Sequence, residues 1–291
     1  GGVNRNIALA GLAILLIGLV APSSMAILWP SGYTGIRYIY PEGYASSPVP
    51  VGPQGSSVHL RLFVQHPSDK PIASAYAFIS DANQAQIASV ALAKEETPWL
   101  NAEIWGGRWT VSSPTTLIFV NFHANRAGVV TVSRSNLDAT TLSTAPRGTF
   151  NVAGKAVDSF FWVEPTGGTF SATFTPVANA EAIGTLWVDI YDNNGTKRNA
   201  FAPSGSMTIP ISLPSKGLYW LLFRLRDTSG NTYNLQNGVV NYGVTPPTPS
   251  PSPGPSPTPS PTPDPLPTPE PDDGFSSLRL GLMALGGGLT V

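Results

Sequence analysis

The sequence predicts an all-β protein of two tandem antiparallel β-sandwiches, with an N-terminal apolar helix and a disordered proline-rich C-terminal stalk. Three observations predict it. Runs rich in Val, Ile, Thr, Tyr, Phe and Trp recur along the middle of the chain, separated by Gly, Pro, Asn, Asp and Ser clusters, which is the pattern of short strands joined by turns. Long amphipathic helical periodicity is missing between these runs, which argues against a parallel α/β fold. Residues 246–271 read "PPTPSPSPGPSPTPSPTPDPLPTPEP" and hold 14 of the chain's 30 prolines. Each proline fixes φ and lacks an N–H, so neither a helix nor a sheet ladder forms there.

Taken in order, the chain opens on "IALAGLAILLIGLV" (7–20) after Arg5, followed by Pro22 and the small residues Ser24 and Ala26. This is the layout of a secretory signal peptide, while extension of the uncharged stretch to Trp29 gives enough length for a retained transmembrane helix. Residues 1–26 are therefore assigned as signal peptide or N-terminal membrane helix, and both readings place the sandwiches outside the cytoplasm. The first sandwich is expected over 27–145. Its strands are "GIRYIY" (35–40), "SVHLRLFVQ" (57–65), "ASAYAFIS" (73–80), "QIASVALA" (86–93), "RWTVSS" (108–113), "TTLIFVNFH" (115–123) and "GVVTVSR" (128–134), with a short helix within 94–105 limited by Pro98.

The second sandwich is expected over 146–245, after a linker near "STAPRG" (143–148). Its strands are "FNVAGKAV" (150–157), "SFFWVE" (159–164), "TFSATFTPV" (169–177), "GTLWVDIYD" (184–192), "SMTIPISL" (206–213), "GLYWLLFRLRD" (217–227) and "NTYNLQNGVVNYGV" (231–244). Two stretches of the first unit have counterparts in the second, in the same order. "SAYAFISDANQAQI" (74–87) parallels "TLWVDIYDNNGTKR" (185–198), and 115–132 parallels 217–235. The stalk spans 246–273, and its accessible state is polyproline II at about 3.1 Å per residue. Residues 274–291, with an apolar run from Leu280, are expected to begin a C-terminal membrane anchor continuing past Val291.

This layout resembles prokaryotic cell-surface proteins with tandem immunoglobulin-like or fibronectin-like sandwiches, a Pro/Thr/Ser-rich stalk and a membrane anchor. The resemblance is one of layout, carried by the 246–271 tract and its neighbours, so it transfers no functional residue. It implies adhesion, display or envelope structure in an extracellular, membrane-anchored protein. A subunit of an extracellular assembly and a carbohydrate-binding module are the alternatives.

Composition narrows the chemistry. Charged residues are 11% of the 291, against a usual value of about 25%, and the net charge is −1, so no basic face for nucleic acid is expected. With no cysteine, disulfides and thiolate sites are excluded. His59 and His66 lie seven apart, an odd spacing that puts them on opposite faces of a strand, and a metal site would need His123 to converge on them. Glu95, Glu96 and Glu103 are the acid cluster of the first unit, without the defined cleft that a carboxylate-pair hydrolase needs.

Asp81-x-Asn83 and Asp192-x-Asn194-Gly195 carry hard oxygen donors, but they lack a full calcium-loop pattern and read as hairpin turns, with Asn194 and Gly195 both tolerating positive φ. Asn194-Gly195-Thr196 is an N-glycosylation sequon. The candidate binding residues are Trp99, Trp105 and Trp109 of "TPWLNAEIWGGRW" (97–109), whose rings suit a sugar face or a protein interface if exposed and plug the sandwich end if not. No catalytic residue, metal or cofactor is predicted. The expected partners are the membrane, through the terminal helices, and cell-wall polysaccharide or another surface protein.

Overall fold

The computed structural model describes residues 35–37, 47–66, 71–112, 114–126 and 135–246. The apolar helix of 1–26, the strand expected over 128–134, the stalk from 247 onward and the segment 274–291 lie outside the described residues. No helix among the described residues is long and apolar enough to cross a membrane.

Seventeen strands make up the described fold: β1 (Gly35–Arg37), β2 (Val49–Pro50), β3 (Ser57–Gln65), β4 (Ile72–Asp81), β5 (Gln86–Trp99), β6 (Ala102–Thr110), β7 (Leu117–Arg126), β8 (Ser135–Thr140), β9 (Arg147–Val152), β10 (Lys155–Val157), β11 (Phe161–Val163), β12 (Thr169–Ala178), β13 (Ile183–Tyr191), β14 (Lys197–Phe201), β15 (Thr208–Ser212), β16 (Gly217–Asp227) and β17 (Thr232–Tyr242). The first eight form one sheet in the order β1-β3-β6-β5-β4-β7-β8-β2, folded over on itself. The fold line is β5. Its residues Ala88–Leu92 pair with β4, and Ala93–Trp99 pair with β6, so one strand closes an edge of both layers. The alternation of β4 and β7 supplies the inside, with Ala75, Ala77, Ile79, Val120 and Phe122 fully buried opposite Leu60, Leu62 and Val64 of β3.

The remaining strands form two separate sheets, β10-β9-β12-β15 and β11-β17-β16-β13-β14. This is an immunoglobulin-like order, with a short strand, β11, running parallel to the last strand. The first unit repeats that feature, β2 running parallel to β8. The second core is built from Phe150, Phe161, Phe174, Val188, Leu221 and Phe223. Tyr219, at the start of β16, donates its hydroxyl hydrogen to the carbonyl of Ser215 at 2.8 Å, the tyrosine corner of such sandwiches.

Three turns share one hydrogen-bond plan. In the β4–β5 and β13–β14 hairpins the aspartate, Asp81 or Asp192, accepts from the backbone N–H groups two and four residues on through Oδ1. Asp227, between β16 and β17, accepts from the N–H of Asn231 in the same way. The fourth residue of each turn has positive φ: Gln84 at 64°, Gly195 at 80° and Gly230 at 91°. The loops are thus three-residue type I turns with a bulge, not the two-residue turn in which Asn194 would also need positive φ. The repeat of 74–87 in 185–198 is a repeat of this hairpin.

Two local expectations are corrected. The segment 94–105 holds no helix: it is the end of β5, a turn with Asn101 at φ 61°, and the start of β6. Pro98 sits where the β5–β6 ladder is irregular, the place in a strand where its missing N–H costs least. "FNVAGKAV" is not one strand but the β9–β10 hairpin, turned at Ala153 and Gly154, both with positive φ.

Candidate functional site

Every second residue of β3 leaves the first core and meets the second sandwich. Leu60, Leu62 and Val64 point inward, while His59, Arg61 and Phe63 form an outer row. The ring of Phe63 stacks on Phe160 at 5.4 Å and on Trp162 at 6.1 Å between centroids. Trp99 lies 5.9 Å from Trp162, and Phe160 lies 5.8 Å from Trp220. The first core therefore continues without a break into Phe160, Trp162, Tyr191, Leu218, Trp220 and Val239 of the second unit. Within "FFWV", Phe161 and Val163 face their own core and Phe160 and Trp162 face the neighbour.

Charges frame this aromatic contact. Arg61, 8% exposed, donates through Nε to Glu95 Oε2 at 2.7 Å, through Nη2 to Glu96 Oε1 at 2.7 Å, and through Nη1 to the carbonyl of Phe160. Consecutive residues of a regular strand point to opposite faces, so Glu95 and Glu96 could not both serve one arginine. A register shift between Lys94 and Glu96 allows it: Glu95 is the extra residue of a bulge. Gly106 makes the room, since a Cβ there would lie 2.2 Å from Glu95 Oε1. Lys155, from β10, completes the set on Glu96 at 3.2 Å.

His59 Nδ1 lies 2.9 Å from Asp158 Oδ1, and its Nε2 lies 2.8 Å from Glu95 Oε1. Each ring nitrogen thus has a carboxylate oxygen within hydrogen-bond reach, an arrangement that favours the doubly protonated ring. The bond with Asp158 raises the His59 pKa above its ordinary value against the opposing effect of burial, with Glu95 adding to the rise. The same bond holds the Asp158 carboxyl below the usual aspartate range, helped by Arg108, whose Nη2 is 3.1 Å away. Burial pushes Glu96 upward, but Arg61 and Lys155 outweigh it and the group is held low.

The arrangement joins the two sandwiches through side chains of both. The acids that line it are neutralised by cations, and no group of three or more His, Asp or Glu side chains that could hold a metal occurs among the described residues. His66 lies near Glu103 at 3.5 Å, and His123 sits edge-on to Phe78, so the three histidines do not converge. Glu103 separates from Glu95 and Glu96 and receives Lys94 and the Trp105 indole N–H.

Trp99, Trp105 and Trp109 are 8%, 9% and 6% exposed, so of the two alternatives the rings take the buried one, packed into the extended first core. Trp99 takes part in the junction, and Trp105 is tied to Glu103 two residues earlier. The same pairing of indole N–H with a carboxylate two positions away recurs at Trp162 with Glu164 and Trp187 with Asp189. A Trp and an acid at that spacing share one strand face, a signal readable as "EIW", "WVE" and "WVD". Asn194 stands exposed at the tip of the β13–β14 hairpin.

No family model and no curated protein matches the chain. Among solved structures it is similar to the fibronectin(III)-like modules of Clostridium thermocellum CbhA, at 10% identity over 72% of this chain and 94% of that one, with a TM-score of 0.24. It is also similar to the two tandem V-type regions of the chitin-binding protein VCBP3, at 12% identity over 72% and 99%, with a TM-score of 0.26. The D00-D0 domain of intimin is similar at 12% identity over 72% and 99%, with a TM-score of 0.24.

Proposed function

We propose that this chain works outside the cytoplasm as a stiff two-sandwich module, tethered to a membrane, that presents a surface for adhesion, binding or envelope structure and makes or breaks no bond. The observation that carries the reading is the junction. Domains on flexible linkers share small, polar interfaces and move against each other. Here a continuous aromatic core and a ring of ion pairs join them. The linker is also pinned, because Asn179 Nδ2 donates to the carbonyls of Ser143 at 2.6 Å and Ala145 at 3.1 Å. Stiffness of this kind suits a spacer that holds one end of a molecule away from the other. The apolar run before residue 27 and the proline tract after residue 245 supply the export and tether parts of the reading.

Protease shaving of intact cells, with cell fractionation and N-terminal sequencing of the native protein, tests it. The reading expects the sandwiches to be removed from the outside and the remainder to stay with the membrane fraction. Recovery of the full chain from the cytosol, protected from protease, would overturn it.

A further inference from the structure

The junction encloses a cleft of about 230 Å3 between β2 and β3 on one side and β9 and β17 on the other. That is far above the roughly 10–15 Å3 that one water needs. We propose that this cleft binds a small carboxylate-bearing polyol, a sugar acid, with its carboxylate on Arg147. The proposal goes beyond the display role and does not depend on where the protein resides.

The walls and the polar groups point the same way. Val51, Phe160 and Leu222 offer apolar surface for a carbon skeleton. Beside them, β17 carries two buried amides that the fold itself does not satisfy. Asn237 is 2% exposed and Gln236 is 8% exposed, yet Asn237 Nδ2 meets no acceptor and Gln236 Oε1 no donor among the described residues. A buried polar group left unmet carries the full cost of its lost hydration. Asn237 pairs with Leu222 on the face of β17 turned to the cleft, so an oxygen of the ligand answers its donor, whereas Gln236 pairs with Phe223 and faces the second core.

Charge selects the rest of the ligand. Among the described residues the cleft is lined by His59, Arg108 and Arg147 against a single acid, Asp158. Asp158 is already engaged by His59 and Arg108. The Arg147 side chain has no ion pair or hydrogen bond among the described residues, although its Nε is buried. Its guanidinium lies over Gly52, where an added Cβ would come within 2.3 Å of Nη1, so a residue without a side chain makes its seat. A planar, preplaced guanidinium matches the two oxygens of a carboxylate.

The test is calorimetric titration of the full chain with glucuronate, glucose and inorganic phosphate, repeated on R147Q and R147K with thermal unfolding of each variant measured alongside. Glucuronate is expected to bind, glucose to bind at least about tenfold more weakly, and R147Q to weaken glucuronate by about 10- to 100-fold, the loss of a hydrogen bond to a charged group. R147K should fall between the two. Equal binding of glucose, tighter binding of phosphate than of glucuronate, retention of glucuronate by a folded R147Q, or no binding of any probe would each overturn the proposal; the last would leave the cleft to water.

Discussion

His59 and Asp158, 99 residues apart in the chain, meet at 2.9 Å across the junction of the two sandwiches. Their bond gives the junction a pH dependence of definite sign. The His59 pKa is raised by folding, so its contribution is complete below the ordinary imidazole value of about 6.5 and is lost as pH rises through the folded value. Asp158 and Glu96 are lowered, so theirs is complete above the ordinary carboxylate values and is lost as pH falls through the folded ones. Stability should therefore peak between the two ranges. Urea unfolding of the wild type and of H59Q across pH checks this. The decline on the alkaline side should be present in the first and flattened in the second.

Arg61 holds two carboxylates and a carbonyl from a nearly buried position. Removing one partner of such a set strands the others, at about 3–5 kcal/mol when fully buried. Glu95 and Glu96 are 30% and 32% exposed, so water relieves part of the loss. R61A should cost about 2–3 kcal/mol in equilibrium unfolding, and R61A combined with E95Q and E96Q should cost less than the sum of the separate changes.

Phe160 and Trp99 serve contacts between the sandwiches more than the folding of either alone. F160A or W99A should cost about 3–5 kcal/mol, as large-to-small changes in a core do. The diagnostic result is the shape of the calorimetric trace. A single transition in the wild type should separate into two, one for each sandwich.

Gln84 fills the place that glycine takes in the two sister turns, at φ 64°. Relief of the left-handed strain should make Q84G more stable by about 1 kcal/mol, and G195A should lose about 1–2 kcal/mol. Chemical denaturation of the two variants checks both signs.

Tyr219→Phe removes one neutral hydrogen bond from the corner of the second sandwich. The expected cost is about 1 kcal/mol, read from the denaturation midpoint with an unchanged slope.

Much of this architecture is legible in the sequence because strands announce themselves locally. The alternation in β4 and β7, the continuous apolar run of β16 and the paired Asp-x-Asn hairpins all arise from residue type at a spacing of one or two. The features that the sequence conceals are long-range or depend on a register slip. The bulge at Glu95 turns two acids toward one arginine, and nothing in "KEETPW" marks which residue is extra. For Trp99, Trp105 and Trp109 in a glycine-containing stretch, residue type leaves open an exposed platform or a plug at the sandwich end. They lie in or beside strands, and Gly106 and Gly107 let side chains and backbone of the neighbouring β5 approach closely. The junction pairs Arg61 with a carbonyl 99 residues away, a distance at which spacing carries no signal. The pairs of Trp with an acid two positions away are legible in principle, since both members lie on one strand face.

The double allegiance of β3 has a consequence for biosynthesis. A chain made from its N-terminus completes the strands of the first sandwich while Phe160 and Trp162 are still unmade or inside the synthetic machinery. Through that interval Phe63 and Trp99 face solvent and Arg61 lacks its carbonyl, so the half-made protein carries a sticky flank beside a charged one. Only the arrival of "DSFFWV" removes it. The order in which the chain emerges thus sets a vulnerable period that the finished molecule no longer displays.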